Sequence, residues 1–136
     1  MTMKCVALDS ITGYEDYYGY SVNEAGEVFS VRQSSSGEYK RLKPGYRDKK
    51  YPYQFVRLSG KNGNIKKFLV HRLVALAFLP NDDRFATVNH INYVVDDNRI
   101  CNLEWMSLTD NTKNKKRKRL TPDQLLYKRY KQLVDD

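Results

Sequence analysis

Residues 69–79, Leu-Val-His-Arg-Leu-Val-Ala-Leu-Ala-Phe-Leu, are almost continuously apolar and run straight into Pro80. Leu73, Leu76 and Ala77 recur at helical spacing, which predicts a buried helix ended by the proline. The chain before it has a period of two. Tyr18, Tyr20 and Val22 alternate, Asn23-Glu24-Ala25-Gly26 turns the chain, and Val28, Phe29 and Val31 return. Ser34-Ser35-Ser36-Gly37 reads as a loop and Pro44-Gly45 as a turn. Tyr53, Phe55 and Arg57 alternate with Gln54, Val56 and Leu58, and Gly60-Lys61-Asn62-Gly63 closes a hairpin onto Ile65–Val70. After the helix, Thr87–Ile91 and Leu103–Met106 read as short strands joined by a polar loop. Ser107 or Thr109 then caps a helix that runs into the lysines. Thr121-Pro122-Asp123-Gln124 is a strong start for a last helix, with Leu126, Tyr130 and Leu133 on one face. The expected class is α+β: a small antiparallel N-terminal sheet, a helix, a strand–loop–strand–helix unit and a C-terminal helix.

The charge is segregated. Among 136 residues, 24 Lys and Arg against 16 Asp and Glu leave +8, with a pI near 9.5, and such a balance points to a polyanionic partner, usually nucleic acid. Residues 31–70 hold eleven bases and two acids, and residues 111–119 hold six bases and no acid. Between them, residues 71–110 hold three bases and six acids. Phosphate contacts need Lys and Arg, whereas a divalent metal takes oxygen ligands and can sit beside carboxylates. The order basic, acidic, basic therefore suits a metal site held against a phosphate backbone; a solvated surface is the bland alternative. No run of 18 apolar residues exists to span a membrane, and no secretory signal is recognisable. Two cysteines, Cys5 and Cys101, cannot by themselves make a disulfide framework or a cysteine-rich zinc site. An intracellular protein with reduced thiols is expected.

The chemistry concentrates in Val88-Asn89-His90-Ile91, Asp97-Asn98-Arg99, Asn102-Leu103-Glu104-Trp105 and Thr109-Asp110-Asn111. Asn102 lies 12 residues after His90, and Asn111 lies 21 after it. His90 then ends one strand, Asn102 opens the next, and Asn111 sits in the first turns of a helix that folds back on them. This is a ββα-metal arrangement. An imidazole beside a hard cation on oxygen ligands is a minimal kit for phosphodiester hydrolysis.

These residues, with Val70–Ala75, Ala77–Asn81 and Asn111-Thr112-Lys113, resemble the HNH endonuclease superfamily in its phage and intron homing branch. Ile11, Gly13-Tyr14-Glu15, Tyr18, Ser21, Gly26–Val31 and Leu42-Lys43-Pro44 resemble the nuclease-associated modular domain that often precedes it. The resemblance implies His90 as the general base and Asn89 and Asn111 as metal ligands for Mg²⁺ or Mn²⁺. It implies Asn102 as the asparagine that ties the loop and keeps His90 oriented. It implies double-stranded DNA as the partner, one strand cut per active site, and a monomer or homodimer, phage-encoded in a bacterial cytoplasm or bacterial. A DNA-binding module with an inactive site is the alternative. Residues 1–68 would be the DNA-contacting region, 69–119 the nuclease motif and 120–136 the C-terminal helix.

Candidate DNA contacts are Lys43, Arg47, Lys49, Lys50, Arg57, Lys66, Lys67, His71, Arg72, Arg99, Lys113, Lys115, Lys116 and Arg117. For His71, capping or packing competes with a phosphate contact; Asn98 and Arg99 either brace the loop or touch the backbone of DNA. Trp105 reads as core packing. Tyr46, Tyr51 and Tyr53 lie among bases and are further candidates for DNA contact. Asp82-Asp83 and Asp96-Asp97 resemble carboxylate pairs but read as solvated loop acids, with a second metal as the lesser alternative. One departure stands out. Relatives usually carry an acid and then Gly after the His-Ile pair, where this chain has Asn92 and Tyr93, followed by Val94-Val95.

Overall fold

The apolar run forms α1 (Val70–Phe78), which buries Val70, Leu73, Val74 and Ala75. Leu79 after it is already extended, φ −105° and ψ 121°, the conformation that a following proline imposes. In this computed structural model, residues 4–31, 37–50 and 52–116 are described. The helix expected from Thr121, with Leu126, Tyr130 and Leu133, lies outside the described residues, as do Ser34–Ser36, Tyr51 and Arg117.

Three antiparallel sheets surround α1. The first runs in chain order through β1 (Cys5–Ala7), β2 (Tyr20–Asn23), β3 (Val28–Ser30) and β4 (Lys40–Arg41). The second is β5 (Gly45–Tyr46), β6 (Gln54–Ser59) and β7 (Ile65–Leu69). The third pairs β8 (Thr87–His90) with β9 (Leu103–Met106), and α2 (Leu108–Lys116) follows. The class is α+β as expected, with the N-terminal antiparallel part split into two sheets. β1, β4 and β5 have two or three residues each, too few for an alternation to show in sequence. Gly45 serves less as a turn residue than as a close approach, because a Cβ there would meet the Phe55 ring at 2.6 Å.

One apolar cluster joins all three sheets to the helix. Val22 and Val28 contribute from the first, with Leu8 from the 3-10 turn after β1, Val56 and Leu58 from the second, and Val88 and Leu103 from the third. Each such aliphatic side chain contributes about 1.5–3 kcal/mol when fully buried. Polar ties add direction to this packing. The Ser59 amide donates to Tyr20 Oη at 3.0 Å, linking the first two sheets. Trp105 Nε1 donates to the Leu79 carbonyl at 3.0 Å, pinning β9 to the end of α1, so the tryptophan packs in the core as expected.

The first sheet also reaches the third. Its β2–β3 turn carries Gly26 at φ +85°, a left-handed conformation that favours glycine. A Cβ there would lie 2.8 Å from both the Cβ and the carbonyl oxygen of Asn98. Beside it, the Ile100 amide donates to the Glu24 carbonyl at 2.9 Å. The turn is therefore pressed onto the loop that joins β8 to β9.

Candidate active site

His90 closes β8 opposite Leu103, and Asn89 faces Glu104 one step earlier in the register. The imidazole is 4% exposed. It packs against the His71 ring at 4.9 Å and the Tyr53 ring at 5.8 Å, centroid to centroid. Its Nε2 lies 2.8 Å from Asn98 Oδ1. Burial pushes the His90 pKa below the ordinary histidine value; the Asn98 bond and the nearby Asp97 and Asp96 charges pull the other way and lose. The ring is therefore neutral at neutral pH, the form in which a histidine can accept a proton.

The loop after His90 is built from buried asparagines. Asn102 is fully buried: its Oδ1 accepts from the Asn92 amide at 3.0 Å, and its Nδ2 donates to the Asp97 carbonyl at 2.8 Å. Asn92, also fully buried, donates through Nδ2 to Asp97 Oδ2 at 2.9 Å and accepts from the Val94 amide at 2.9 Å. Asp97 takes both arms of Arg99, at 2.8 and 2.9 Å. Burial raises the Asp97 pKa, but the bonds from Arg99 and Asn92 outweigh it and hold the carboxyl below its usual range. Of the two readings of Arg99, the geometry supports bracing, because its guanidinium holds Asp97 within its own loop. Asn102 spans the loop rather than touching the imidazole. Asn98 makes that contact.

Tyr93, at the position where the resemblance implies glycine, has φ +63°. The turn still closes, with the Tyr93 amide donating to the His90 carbonyl at 3.0 Å. The loop therefore holds a tyrosine in a backbone conformation that costs a non-glycine residue on the order of 1 kcal/mol.

Asn89 Nδ2 donates to Glu104 Oε1 at 3.0 Å, which turns the amide oxygen away from the carboxylate. Ser107 caps α2, its Oγ accepting from the Asp110 amide at 3.1 Å. That start of the helix brings Asn111, 7% exposed, toward β8. Asn89, His90 and Asn111 line one cleft of about 260 Å³, together with His71, Arg47 and Arg72. Among the described residues, no three His, Cys, Asp or Glu side chains converge as a metal cluster. The oxygen donors here are amides, which suit a hard cation that keeps water and phosphate in its shell better than they suit zinc.

The expected DNA contacts separate into groups. Arg47 and Arg72 are exposed and line the cleft, while His71 is buried in its wall. Arg57 and Lys67 are exposed cross-strand partners on β6 and β7, with Lys66 beside them. Both cations of that pair lie over the Phe55 ring, at 5.6 and 4.7 Å. Lys43, Lys49 and Lys50 are exposed on the loops flanking β5, and Lys113 is exposed on α2. The side chains of Lys115 and Lys116 lie outside the described residues. Sequence reasoning missed Gln54, which accepts from Asn98 Nδ2 at 3.0 Å, and the Glu104 bond to Asn89. The alternation of Glu104 with Trp105 on a short strand hints at the second; nothing in the sequence signals the first.

No family model matches the chain. Individual proteins do. The uncharacterized HNH endonuclease L245 of Acanthamoeba polyphaga mimivirus is 36% identical over 99 residues, 71% of this chain and 27% of the viral protein. The DNA endonuclease I-HmuI of Bacillus phage SP01 is 32% identical over 104 residues, 76% of this chain and 54% of that protein. A solved structure concerning DNA binding and cleavage by the HNH homing endonuclease I-HmuI matches this fold with a TM-score of 0.66. The match has 27% identity and covers 98% of this chain and 68% of that one. The chain is similar to HNH endonucleases over roughly three quarters of its length. It spans about half or less of the length of the two sequence relatives just described. His90 ends β8 and Asn111 lies on α2, while Asn102, expected to open the second strand, instead closes the short 3-10 turn Ile100–Asn102 just before β9. No helix among the described residues is long and apolar enough to cross a membrane.

Proposed function

We propose that this protein is a divalent-metal-dependent endonuclease that hydrolyses a phosphodiester bond in double-stranded DNA, one strand per active site. The observation that carries the reading is a buried, neutral imidazole set between two asparagine ligand candidates in an open cleft with arginines at its edge. His90 accepts a proton from water, the water oxygen attacks phosphorus, and the bond from phosphorus to the leaving oxygen breaks. Asn89 and Asn111 would hold Mg²⁺ or Mn²⁺ through their amide oxygens. When bound, the cation would neutralise charge on the scissile phosphate and the leaving oxygen. Both amides are neutral, so they alone would hold the cation weakly in the absence of DNA. Asn102 keeps the loop closed beneath the base.

Arg47 and Arg72 hold phosphates at the cleft. Arg57, Lys66 and Lys67 hold the flanking backbone, with Lys43, Lys49, Lys50 and Lys113 further out. A pair of like charges directly across two strands is unfavourable for folding alone. Arg57 opposite Lys67 therefore fits a surface that meets a polyanion. Residues 1–68 serve as the DNA-contacting region on this reading.

The test is incubation with supercoiled plasmid carrying DNA from the source genome, with Mg²⁺ or Mn²⁺ and with EDTA. Conversion to open circles only with the metal supports a nicking enzyme. Direct appearance of linear product points to a dimer cutting both strands. A gel shift with no cutting under any metal would favour a DNA-binding module instead.

A further inference from the structure

We infer that Gln54 is a positioning residue for the catalytic base: it fixes the Asn98 amide and, through it, the tautomer of His90. The inference rests on His90 acting as the base proposed above. Three side chains from three places in the fold form a relay. His90 Nε2 meets Asn98 Oδ1 at 2.8 Å, and Asn98 Nδ2 donates to Gln54 Oε1 at 3.0 Å. At the far end, Gln54 Nε2 donates to Tyr46 Oη at a long 3.5 Å.

The logic is one of donors and acceptors. An asparagine amide presents an acceptor on one side and donors on the other. With its nitrogen directed to Gln54 Oε1, Asn98 offers only its oxygen to the imidazole. A neutral imidazole facing that oxygen must carry its proton on Nε2. Nδ1 is then the atom with the lone pair, the one able to take a proton from water. The reversed amide would stabilise the other tautomer and put the proton on Nδ1.

The relay is held by packing as well as by bonds. Asn98 is 3% exposed, and Gly26 closes over its backbone with no room for a Cβ. Its side chain thus has two polar neighbours and little freedom to find others. Gln54 lies on β6, three residues from Arg57 and one strand from Lys66 and Lys67. The base on β8 is therefore oriented from the sheet that carries the exposed bases, across the boundary that the sequence suggested at residue 68.

The experiment is ¹⁵N NMR of the histidine rings in the metal-free, DNA-free chain at about pH 8, above the ordinary histidine range. The chain has only two histidines, and His90→Ala identifies the signals of His90. Wild type is expected in the Nε2–H form. Gln54→Glu keeps the acceptor and should keep that form. Gln54→Met keeps the length and removes the acceptor, and should give a mixture of tautomers. It should also nick about tenfold more slowly with unchanged DNA affinity, the effect of one lost buried hydrogen bond. In an Asn98→Asp background the ring acceptor no longer depends on Gln54, so Gln54→Met should leave the tautomer alone. A Gln54→Met protein as purely Nε2–H as wild type would overturn the inference, as would a wild type in the Nδ1–H form. The NMR readout needs no cleavage, so an inactive wild type would sink the proposed function and leave this result standing.

Discussion

Two antiparallel strand pairs of this molecule are closed in opposite ways. β6 and β7 are joined by the short glycine-bounded connection 60–64 and held by a regular ladder, with their charged side chains facing solvent. β8 and β9 are joined by residues 91–102, a connection whose path is set by side-chain amides rather than by a ladder. In the first pair, Val56 and Leu58 enter the core while Arg57, Lys66 and Lys67 stay in solvent, unused by the fold's own polar bonding. In the second, polar side chains are consumed inside: Asn92, Asn98 and Asn102 are each 3% exposed or less. A polar group is buried at a cost unless it is bonded, so such a loop tolerates little change. The same chain thus pairs a robust charged hairpin with a brittle amide-built loop.

That contrast can be broken in order of expected effect. Asn102→Ala should cost about 3 kcal/mol in urea unfolding, because it strands both the Asn92 amide and the Asp97 carbonyl. A loss under about 1 kcal/mol would mean that the loop is held by something else. Gly26→Ala should cost about 2 kcal/mol, since it adds strain at φ +85° to a 2.8 Å clash with Asn98. The clash displaces Asn98, so this variant should also slow cleavage more than its stability loss explains. Tyr93→Gly runs the other way. Relieving φ +63° should raise the unfolding midpoint by the equivalent of about 1 kcal/mol or less, glycine's own entropy offsetting part of the gain. An unchanged or lower midpoint would show that the tyrosine ring contributes more than its backbone costs. The Arg57→Ala, Lys67→Ala pair sharpens the other half of the comparison. Stability should shift by no more than about 0.5 kcal/mol, while the salt dependence of DNA binding should lose about one unit of slope for each phosphate contact removed.

How legible all this is in the sequence follows from the same contrast. α1 and the β6–β7 hairpin are set by local pattern, an apolar run before a proline and an alternation around Gly60–Gly63, so their positions follow from residues alone. His90, Asn102 and Asn111 are legible through their spacing and the family resemblance. The Asn98 contact is not, because which asparagine reaches the ring depends on where the Gly26 turn presses the loop. Gln54 is invisible for a stronger reason: it lies 44 residues from its partner on a strand whose alternation assigns it no special role. The departure at Asn92 and Tyr93 leaves loop geometry open in sequence. The structure shows a closed turn there, with Tyr93 carrying the left-handed conformation.

The most direct test of the account is single-turnover nicking by wild type and His90→Ala across pH, in Mg²⁺, with DNA binding and thermal unfolding measured on both. Burial lowers the His90 pKa, so the base is neutral above a limb that lies below the ordinary histidine value of about 6.5. The wild-type rate should fall as pH drops through that limb. His90→Ala should bind DNA and unfold normally yet cut at least about a hundredfold more slowly at every pH. A folded His90→Ala protein that cuts as fast as wild type would remove the histidine from the chemistry, and with it the account given of the loop built to hold it.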